Sequence, residues 1–376
     1  DVYKRQVYNI QMSREKLQIK DIFMIFGIIC EFNPFHKGHR YLIESVKKEN
    51  DFVICAMSGN FVQRGEFAVY DKYTRAKTAV ENGADIVIEI PGVCSTLSAQ
   101  GYAKAGVNIL EGTGICDSIA FGAECENVDE LRAVADKIKE KDAQIKAELS
   151  KGVSYPTARR NAVGSPILDR PNNILAIEYL TYTSLKPTVI KRIGKGHDSD
   201  DEEYSASEIR KRLPQSEICT LKNCESAVLY KLRTMTAADF AQIDDVSEGL
   251  ENRIVEAVRS STTLDEIYEK VKTKRYTMSR IRRVILRAYL RISKSDSKEP
   301  QYLHILGFSE RGKLLLPQIK KAANLPIIAK YGDIADKSDE VKRAFEKECE
   351  MTDIYSLGFA PPRKCGEEQR SKIITM

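Results

Sequence analysis

The stretch that decides the fold reads Gly27-Ile-Ile-Cys-Glu-Phe-Asn-Pro-Phe-His-Lys-Gly-His39. Its first residues continue an apolar run that starts at Ile25 and predicts a buried strand ending near Cys30. Pro34 then favours a loop, and a helix is predicted to begin at about Gly38. A buried strand that leads through a loop into a helix indicates an open α/β sheet, in which ligands bind beyond the carboxyl ends of the strands.

Apolar runs of strand length recur along the first part of the chain at intervals of about thirty residues, the length of one strand–helix–strand unit. Because these runs are apolar nearly throughout, we expect helices on both faces of a parallel sheet. Right-handed crossovers then predict a doubly wound α/β domain. The predicted strands are residues 25–30, 52–57, 85–90, 118–121 and 188–192. The predicted helices are residues 39–50, 72–82, 99–110, 128–149 and 173–184.

The chain of 376 residues is too long for one small domain, and its pattern changes after Leu213-Pro214. Residues 24–213 are predicted to form the α/β domain. Residues 214–376 are predicted to form a mostly helical domain with a small α/β appendage, and residues 1–23 are treated as a leader of unknown meaning. The appendage is predicted from two short strands and one helix, at residues 302–307, 326–329 and 314–322.

Composition excludes several classes of protein. No apolar run reaches the roughly 18 residues that span a bilayer, so a membrane protein is excluded. The nine cysteines form no Cys-x-x-Cys pair and only four histidines accompany them, so we predict no structural zinc or other metal site. An odd number of cysteines without a secretion signal indicates the cytoplasm. The net charge of +5 is small, and nothing in the sequence indicates an obligate protein partner.

His36 and His39 are the strongest candidates for a catalytic role. They lie about one helical turn apart, so both side chains can face one point at the beginning of the predicted helix. The free N–H groups and partial positive charge of a helix N-terminus favour a phosphate there, and Gly38 lets a ligand approach the backbone closely. The alternative is a pair of ordinary surface histidines, which fits poorly because half of the four histidines share this loop.

The His-x-Gly-His loop resembles the nucleotidyltransferase branch of the HIGH-motif superfamily, which implies a Rossmann-like fold and ATP as ligand. In that superfamily the two histidines stabilise charge on the α-phosphate of ATP as pyrophosphate departs, a task that suits imidazoles because they donate hydrogen bonds near neutral pH. Ser205-Ala-Ser-Glu-Ile-Arg210 resembles the element that these enzymes carry after the last strand, where hydroxyls and an arginine suit the β- and γ-phosphates. The alternative for Ser205 and Ser207 is simple helix capping.

Four stretches together resemble the bacterial tRNA(Met) cytidine acetate ligase family: Glu31 to His39, Met57 to Glu66, Pro171 to Leu175 and Thr273 to Tyr276. The resemblance implies a two-step reaction, in which acetate attacks the α-phosphate of ATP to give acetyl-adenylate and pyrophosphate. The exocyclic amine of the wobble cytidine in elongator tRNA(Met) then takes the acetyl group. The resemblance also implies Mg²⁺ beside the departing pyrophosphate, although no carboxylate cage stands out in the sequence.

The same resemblance implies a set of ATP contacts. Gly122 directly follows a strand, where a Cβ would block an adenosine, and Asn173 at a helix start can reach a ribose or base edge. Arg192 ends a strand and can pair with phosphate. Each of the three has an alternative as a turn, helix cap or solvated charge. The predicted ATP-binding residues are Ile29, Cys30, Glu31, Phe32, Asn33, Pro34, Phe35, His36, Lys37, Gly38, His39, Gly122, Asn173, Arg192, Ser205, Ser207 and Arg210.

A polar loop follows the second predicted strand and contains Asn60, Gln63 and Arg64. Its place beside the loop of the first strand predicts that these residues line the pocket for acetate or for the cytidine. Arg64 is the candidate for contact with an anion or with tRNA. An ordinary surface loop is the alternative.

Residues 270–298 contain eleven basic residues and one acidic residue. Apolar residues at helical spacing predict one buried face, and a cationic stripe beside it predicts contact with a polyanion. Tyr276 beside two cations is suited to stack on an unpaired base. The alternative is a solvated helix face with acidic partners from elsewhere in the chain. The predicted tRNA-binding residues are Lys274, Arg275, Tyr276, Arg280, Arg283, Arg287, Arg291 and Lys294.

The sequence therefore predicts an ATP-dependent ligase that modifies tRNA(Met), with a nucleotidyltransferase domain followed by a tRNA-binding part. Two alternatives stay open at this point. One is an adenylyl- or cytidylyltransferase acting on a small molecule, and the other is an RNA-binding protein without catalytic activity.

Overall fold

The computed structural model describes residues 23–192, 206–214 and 216–376, and within them the chain is built around one large sheet. Its strands match the predicted runs closely, since the apolar residues that define them are the buried ones. The strands are β1 (Ile25–Cys30), β2 (Phe52–Ser58), β3 (Phe61–Val62), β4 (Glu66–Phe67), β5 (Ile86–Ile90), β6 (Ser118–Ala123), β7 (Lys186–Lys191), β8 (Leu303–Phe308), β9 (Ile327–Ile328) and β10 (Ile374–Thr375).

The sheet has the order β10-β8-β5-β2-β1-β6-β7, with β9 beside β8. Strands β5, β2, β1, β6 and β7 are mutually parallel, which confirms the predicted parallel sheet. In the register of the central pair, Ile25 lies opposite Phe52 and Cys30 opposite Met57. The strand order reverses around β1, so the loop after β1 opens at the switch point of the sheet, where ligands bind in folds of this type.

Helices cover both faces of the sheet, as the apolar strands predict. The helices are α1 (Lys37–Val46), α2 (Lys72–Glu81), α3 (Gly92–Ser95), α4 (Ala99–Gly112), α5 (Val128–Glu140), α6 (Asp142–Ser150), α7 (Tyr155–Val163), α8 (Pro171–Tyr182), α9 (Ala206–Arg212), α10 (Glu225–Arg233), α11 (Ala237–Ala241), α12 (Leu250–Arg259), α13 (Leu264–Val271), α14 (Met278–Tyr289), α15 (Leu316–Ala322), α16 (Asp339–Tyr355) and α17 (Glu367–Arg370). Helices α4 and α8 pack on one face through an aliphatic core, and α1 and α2 pack on the other. None of the helices in the described residues is long and apolar enough to cross a membrane.

Two predicted elements differ from the structure. The helix expected over 128–149 is broken at Lys141, which separates α5 from α6. The strand expected at 302–307 is present as β8, but it extends the main sheet by pairing antiparallel with β5 instead of standing in a separate appendage. Pairing of β8 with β5 joins residues more than 200 positions apart, which local sequence patterns do not reveal. The division of the chain at residue 213 stays a prediction.

The hairpin of β3 and β4 lies against α14, so the polar loop after β2 is fixed by the helical part of the chain. Gly65 sits in the turn with φ of +78°, and a Cβ there would lie 2.4 Å from the backbone nitrogen of Arg283. Only glycine fits both the left-handed backbone and this close approach. Glu66, at the start of β4, forms an ion pair with Arg282 of α14. The Gln63–Arg64 turn is thereby held between the sheet and the helical core.

A fully buried charge cluster ties the C-terminal segment to the sheet. The ammonium of Lys72, at the beginning of α2, lies 2.6 Å from an oxygen of Glu89 on β5 and also pairs with Glu368 of α17. The second oxygen of Glu89 lies 2.6 Å from Nδ1 of His304 on β8. Glu348 of α16 accepts the amide of Gly92 at 2.7 Å, and burial raises the pKa of its carboxyl. The Lys72 ammonium is therefore shared by three carboxylates, one each from β5, α16 and α17.

Replacement of Lys72 by methionine is expected to destabilise the protein strongly. Loss of the ammonium leaves the Glu89 and Glu368 carboxylates buried without their cation, which typically destabilises by about 3–5 kcal/mol. Lys77→Met on the same helix is the matched control, because Lys77 is exposed and lies 3.9 Å from Glu81; surface pairs contribute about 0–1 kcal/mol. Urea unfolding of the two variants measures the difference, and equal destabilisation would contradict a dominant role for the cluster.

Candidate functional site

The loop between β1 and α1 is shaped by contacts from its neighbours. Phe32 has a φ of +46°, in the left-handed region, and its side chain is buried against Phe35. The Asn33 side chain is also buried, and its Oδ1 accepts the backbone amide of Val69 at 2.8 Å. The chain therefore turns sharply after the strand, and the turn directs the following residues back over the carboxyl edge of the sheet.

His36 and His39 form a reciprocal cap at the N-terminus of α1. Nδ1 of His36 accepts the amide of Gly38 at 3.1 Å, and Nδ1 of His39 accepts the amide of His36 at 3.3 Å. The two rings are stacked, with centroids 3.8 Å apart. Because each Nδ1 accepts a hydrogen bond, each neutral ring must carry its proton on Nε2. The cap thus leaves two Nε2–H donors side by side.

Both imidazoles are held in the neutral form. Burial and the positive charge of Arg192 lower the pKa of His36 to about 4. Burial lowers the pKa of His39 well below its usual range, and the neighbouring His36 and Arg192 act in the same direction. The pair is therefore uncharged at neutral pH and acts through hydrogen-bond donation. Gly38 adds to this geometry, because a Cβ at that position would lie 3.0 Å from the His36 ring.

Arg192 and Gly122, both predicted to contact ATP, are brought together beside the histidines. A Cβ on Gly122 would lie 3.2 Å from Cγ of Arg192, so glycine lets the arginine side chain lie over the end of β6. The Arg192 guanidinium donates to Oδ1 of Asn172 at 3.0 Å and stays exposed. A cation accordingly stands near the two imidazole donors, as phosphate binding requires.

Asn173 lies at this edge too, but its side chain is used internally. Its Oδ1 accepts the amides of Glu124 and Cys125, each at 2.9 Å, and its Nδ2 donates to the carbonyl of Ile167. The side chain is 3% exposed. Asn173 therefore shapes the turn after β6, and its predicted contact with a ribose or base stays a prediction.

The helix α9 brings Arg210 to the loop from a distant part of the sequence. Its Nη1 donates to the carbonyl of Asn33 at 2.6 Å, and its Nη2 donates to Oγ of Ser207 at 3.1 Å. The predicted proximity of this segment to the His-x-Gly-His loop is thus present. Ser205, the other predicted hydroxyl, lies outside the described residues.

Arg75 is a central residue that the sequence did not single out. Its guanidinium is 1% exposed and donates to the carbonyls of Glu31 at 2.6 Å, Ser58 at 3.0 Å and Tyr70 at 2.9 Å, and also to that of Gly59. Burial lowers its pKa. The loops after β1 and β2 are therefore fastened to one buried cation. The sequence feature that could have indicated Arg75 is its position beside alanines on the apolar face of the predicted helix.

Glu31 supplies the one carboxylate in the loop that follows β1. Its Oε1 accepts the amide of Gln63 at 2.8 Å, and among the described residues no hydrogen bond is made to the second oxygen. Burial raises the pKa of Glu31, although the Gln63 amide and the charges of Arg64, Arg75 and Arg210 act in the opposite direction. A carboxyl with a raised pKa beside anion-binding groups is a candidate for proton transfer.

The three residues predicted to line the acceptor pocket differ in their surroundings. Asn60 is fully buried, with Nδ2 donating to Thr352 at 3.2 Å and Oδ1 accepting the amide of Lys72 at 2.9 Å, so its side chain is used internally. Gln63 is half-buried and its Nε2 lies 3.5 Å from the carbonyl of Leu97. Arg64 is exposed at the tip of the hairpin. Gln63 and Arg64 are therefore the two of these residues whose side chains lie in the turn next to Glu31.

The cations of α14 do not form the predicted exposed stripe. Arg283 and Arg287 are 6% and 1% exposed, and they pair with Asp245 at 2.7 Å and Asp244 at 2.8 Å. Arg287 also donates to the carbonyl of Val93 at 2.9 Å. The acidic partners come from the segment before α12, which is the alternative that the sequence left open. Buried guanidinium groups of this kind hold the helical core against the sheet.

The other predicted tRNA contacts are mostly engaged as well. Arg280 donates to the carbonyl of Asp245, Arg291 pairs with Glu350, and Lys294 donates to the carbonyl of Ala241. Tyr276 is 6% exposed and its hydroxyl donates to the carbonyl of Glu248 at 2.6 Å, so its ring is packed within the helical part of the chain. Arg275 is half-buried beside Gly152, and Lys274 is exposed. Lys274, Arg291 and Lys294 are the members of the set that are exposed.

The fold and the paired imidazoles at a helix N-terminus define a nucleotidyltransferase of the HIGH type, and the profile of the HIGH Nucleotidyl Transferase family matches residues 23–227 and 214–370. The tRNA(Met) cytidine acetate ligase of Acetivibrio thermocellus is 36% identical, over 94% of this chain and 100% of the relative. The protein of the same name from Thermoanaerobacter sp. is 37% identical, over 89% and 95%. This chain belongs to the tRNA(Met) cytidine acetate ligase family.

A solved structure supports the same assignment. The crystal structure of Thermotoga maritima TmcAL bound with alpha-thio ATP superposes with a TM-score of 0.84 at 30% sequence identity. The similarity covers 94% of this chain and 99% of that chain. The sheet and its C-terminal additions therefore have the architecture of a protein that was crystallised with an ATP analogue.

The neutral state of His36 can be tested by titration. We expect the Hε1 proton of His36 in the free protein to titrate with a midpoint near 4, because burial and Arg192 oppose protonation. Since folding lowers this pKa from about 6.5, His36 contributes stability that is fully present above pH 6.5 and is lost as the pH falls toward 4. NMR on the wild type, with assignment by His36→Gln, measures the midpoint; a value above 6 would contradict the cap geometry.

Proposed function

We propose that this chain joins acetate to the exocyclic amine of the wobble cytidine of elongator tRNA(Met) in an ATP-dependent reaction. The observation that carries the proposal is the pair of Nε2–H donors of His36 and His39 at the N-terminus of α1, flanked by Arg192 and Arg210. The two alternatives left by the sequence are not favoured, because relatives aligned over nearly their whole length carry the ligase name.

In the first step an acetate oxygen attacks the α-phosphorus of ATP, and pyrophosphate leaves. Negative charge grows on the phosphate oxygens during this step, and neutral Nε2–H donors can stabilise it without first losing a proton. Arg192 and Arg210 supply charge where the β- and γ-phosphates would depart, and the partial positive charge at the N-terminus of α1 favours the same anion. Arg64, exposed beside Glu31, is suited to the carboxylate of acetate.

In the second step the cytidine amine attacks the carbonyl carbon of acetyl-adenylate. The new carbon–nitrogen bond forms, the carbon–oxygen bond to the phosphate breaks, and AMP leaves. The attacking nitrogen must also lose a proton. Within this loop Glu31 is the suitable acceptor, since one of its oxygens is held by Gln63 and its pKa is raised by burial toward the working pH.

The described residues offer little support for a protein-bound metal. No group of three or more histidine, cysteine or acidic side chains among them is arranged to hold a metal ion. Glu31 is the carboxylate of the loop after β1, and Mg²⁺ often keeps water and substrate phosphates as its ligands. We therefore propose that any Mg²⁺ enters with ATP, and we derive no step from it. Use of ATP and tRNA, together with nine free cysteines, supports a cytoplasmic location.

The decisive assay is incubation with ATP, labelled acetate and total tRNA, followed by nucleoside analysis. Label is expected in a cytidine derivative from tRNA(Met), and His39→Ala is expected to reduce incorporation on the order of 10²–10³-fold, the usual effect of losing one such donor. Lys139→Ala, at an exposed position of α5, is the control and should retain full activity. Absence of label from cytidine in the wild type would refute the proposed reaction.

Replacement of Glu31 by glutamine separates the two steps. An amide has the same shape but cannot accept the proton of the amine, so acetyl transfer to tRNA should fall on the order of 10²-fold. Acetate-dependent exchange of pyrophosphate into ATP, which reports the first step alone, should stay within about threefold of the wild type because that step needs no proton acceptor. Equal losses in both assays would contradict a role in proton transfer.

A further inference from the structure

The buried cations of α14 are engaged by acidic partners, and groups suited to a polynucleotide are also present elsewhere on the exposed surface. The most exposed large apolar side chain among the described residues is Tyr230 of α10, at 72%. Val228, Leu229 and Leu232 of the same helix are buried in the helical core. These buried residues pack α10 onto the helical core. The Tyr230 side chain points away from them, so core packing does not explain a tyrosine at this position.

Tyr230 lies on a face of α10 that also presents cations. Lys222, in the turn before the helix, then Ser226, Tyr230 and Arg233 follow one another at spacings of four, four and three residues, and all are exposed. Ser226, Tyr230 and Arg233 lie within α10 at spacings that share one side of a helix, and Lys222 lies in the 3₁₀ turn Leu221–Cys224 that precedes it. Arg233 donates to the carbonyl of Ser261 at 3.3 Å and not to a carboxylate. An aromatic ring is thus flanked along the helix by positive charge.

A groove of about 300 Å³ opens beside this face, between α10 and α12. Its floor is aliphatic and its edges carry two guanidinium groups. The lining residues are Leu232, Arg233, Met235, Val255, Val258 and Arg259. No carboxylate is among these residues, so the groove offers an apolar surface under cationic edges. Together we name Lys222, Tyr230, Arg233 and Arg259 the α10 platform.

The α10 platform is connected to the catalytic loop through a short path. The amide of Cys219, eleven residues before Tyr230, donates to the carbonyl of Val69 at 2.9 Å. The amide of Val69 in turn donates to Oδ1 of Asn33 in the loop before α1. The segment that leads into α10 therefore begins beside the catalytic loop.

We propose that the α10 platform binds the tRNA substrate, with Tyr230 stacking on an unpaired base and Arg233 and Arg259 contacting phosphates. The inference rests on the proposed function for the identity of the polynucleotide. Stacking of bases on aromatic side chains and neutralisation of phosphates by arginine are the standard contributions to such binding. Charge complementarity favours a polyanion over a second copy of this chain, because two copies would bring like charges together.

The test measures the affinity of the full-length protein for an unmodified tRNA(Met) transcript by fluorescence anisotropy. Tyr230→Ala is expected to weaken binding about tenfold, the effect of losing one stacked base, whereas Tyr230→Phe should stay within about twofold. The double variant Arg233→Ala/Arg259→Ala should weaken binding and lower the slope of log affinity against log salt by about 1–2, one unit for each lost phosphate contact.

Tyr182→Ala is the matched control, because Tyr182 is 37% exposed at the far end of α8. Its affinity for tRNA should equal that of the wild type. Acetate-dependent pyrophosphate exchange should be unchanged in every variant, since the platform does not contact ATP. Unaltered tRNA affinity in Tyr230→Ala, or equal weakening by Tyr182→Ala, would overturn the proposal.

Two further results show whether the platform proposal or the proposed function has failed. If the wild type binds the transcript through Tyr230 but acetylates no cytidine, the proposed function fails and the platform stands as a polynucleotide site. If light scattering instead reveals a dimer that Tyr230→Ala dissociates without loss of tRNA affinity, the face joins two copies and the platform proposal is refuted.

Discussion

The site depends on a buried guanidinium that has backbone carbonyls as its principal partners. Arg75 donates to carbonyl oxygens from the loops that follow β1 and β2, and so both loops are held at a fixed distance from α2. A buried charge of this kind must be fully hydrogen-bonded, because any unsatisfied donor would be costly in a low-dielectric interior. The loops therefore cannot relax independently, and Arg75 fixes the backbone at Glu31, from which the chain continues to the histidine cap.

The protonation and orientation of the two imidazoles are also fixed by contacts within the protein. The capping hydrogen bonds at the start of α1 also select the tautomer of His36 and His39. Formation of the helix therefore also orients the two Nε2–H donors. Burial and Arg192 keep the rings neutral, which leaves the positive charge of the site on arginines that can pair with the leaving phosphates. The neutral imidazoles thus act as hydrogen-bond donors near the α-phosphate, and the arginines act as permanent cations further out. Charged histidines would remove this distinction.

Local patterns in the sequence predicted the parallel strands, the loop after β1 and the paired histidines, because each depends on residues close together in the chain. Contacts between distant segments were beyond such patterns. The pairing of β8 with β5, the burial of Asn60 against Thr352 and the engagement of Tyr276 by Glu248 all required the tertiary structure. Arg75 was overlooked for the same reason, since its carbonyl partners lie on three separate stretches of the chain.

The helix α14 shows that a sequence rich in basic residues need not expose them. A run of basic residues predicts an anion, but the sequence does not say whether that anion is a substrate or another part of the protein. For Arg287 and Arg283 of α14 the anions are Asp244 and Asp245, and Arg287 also donates to Val93 and Thr96 at α3, directly after β5. Mutating these arginines would therefore disturb folding before it disturbed recognition. Exposed side chains that the core does not need, such as Tyr230, are where binding to a partner can be separated from stability.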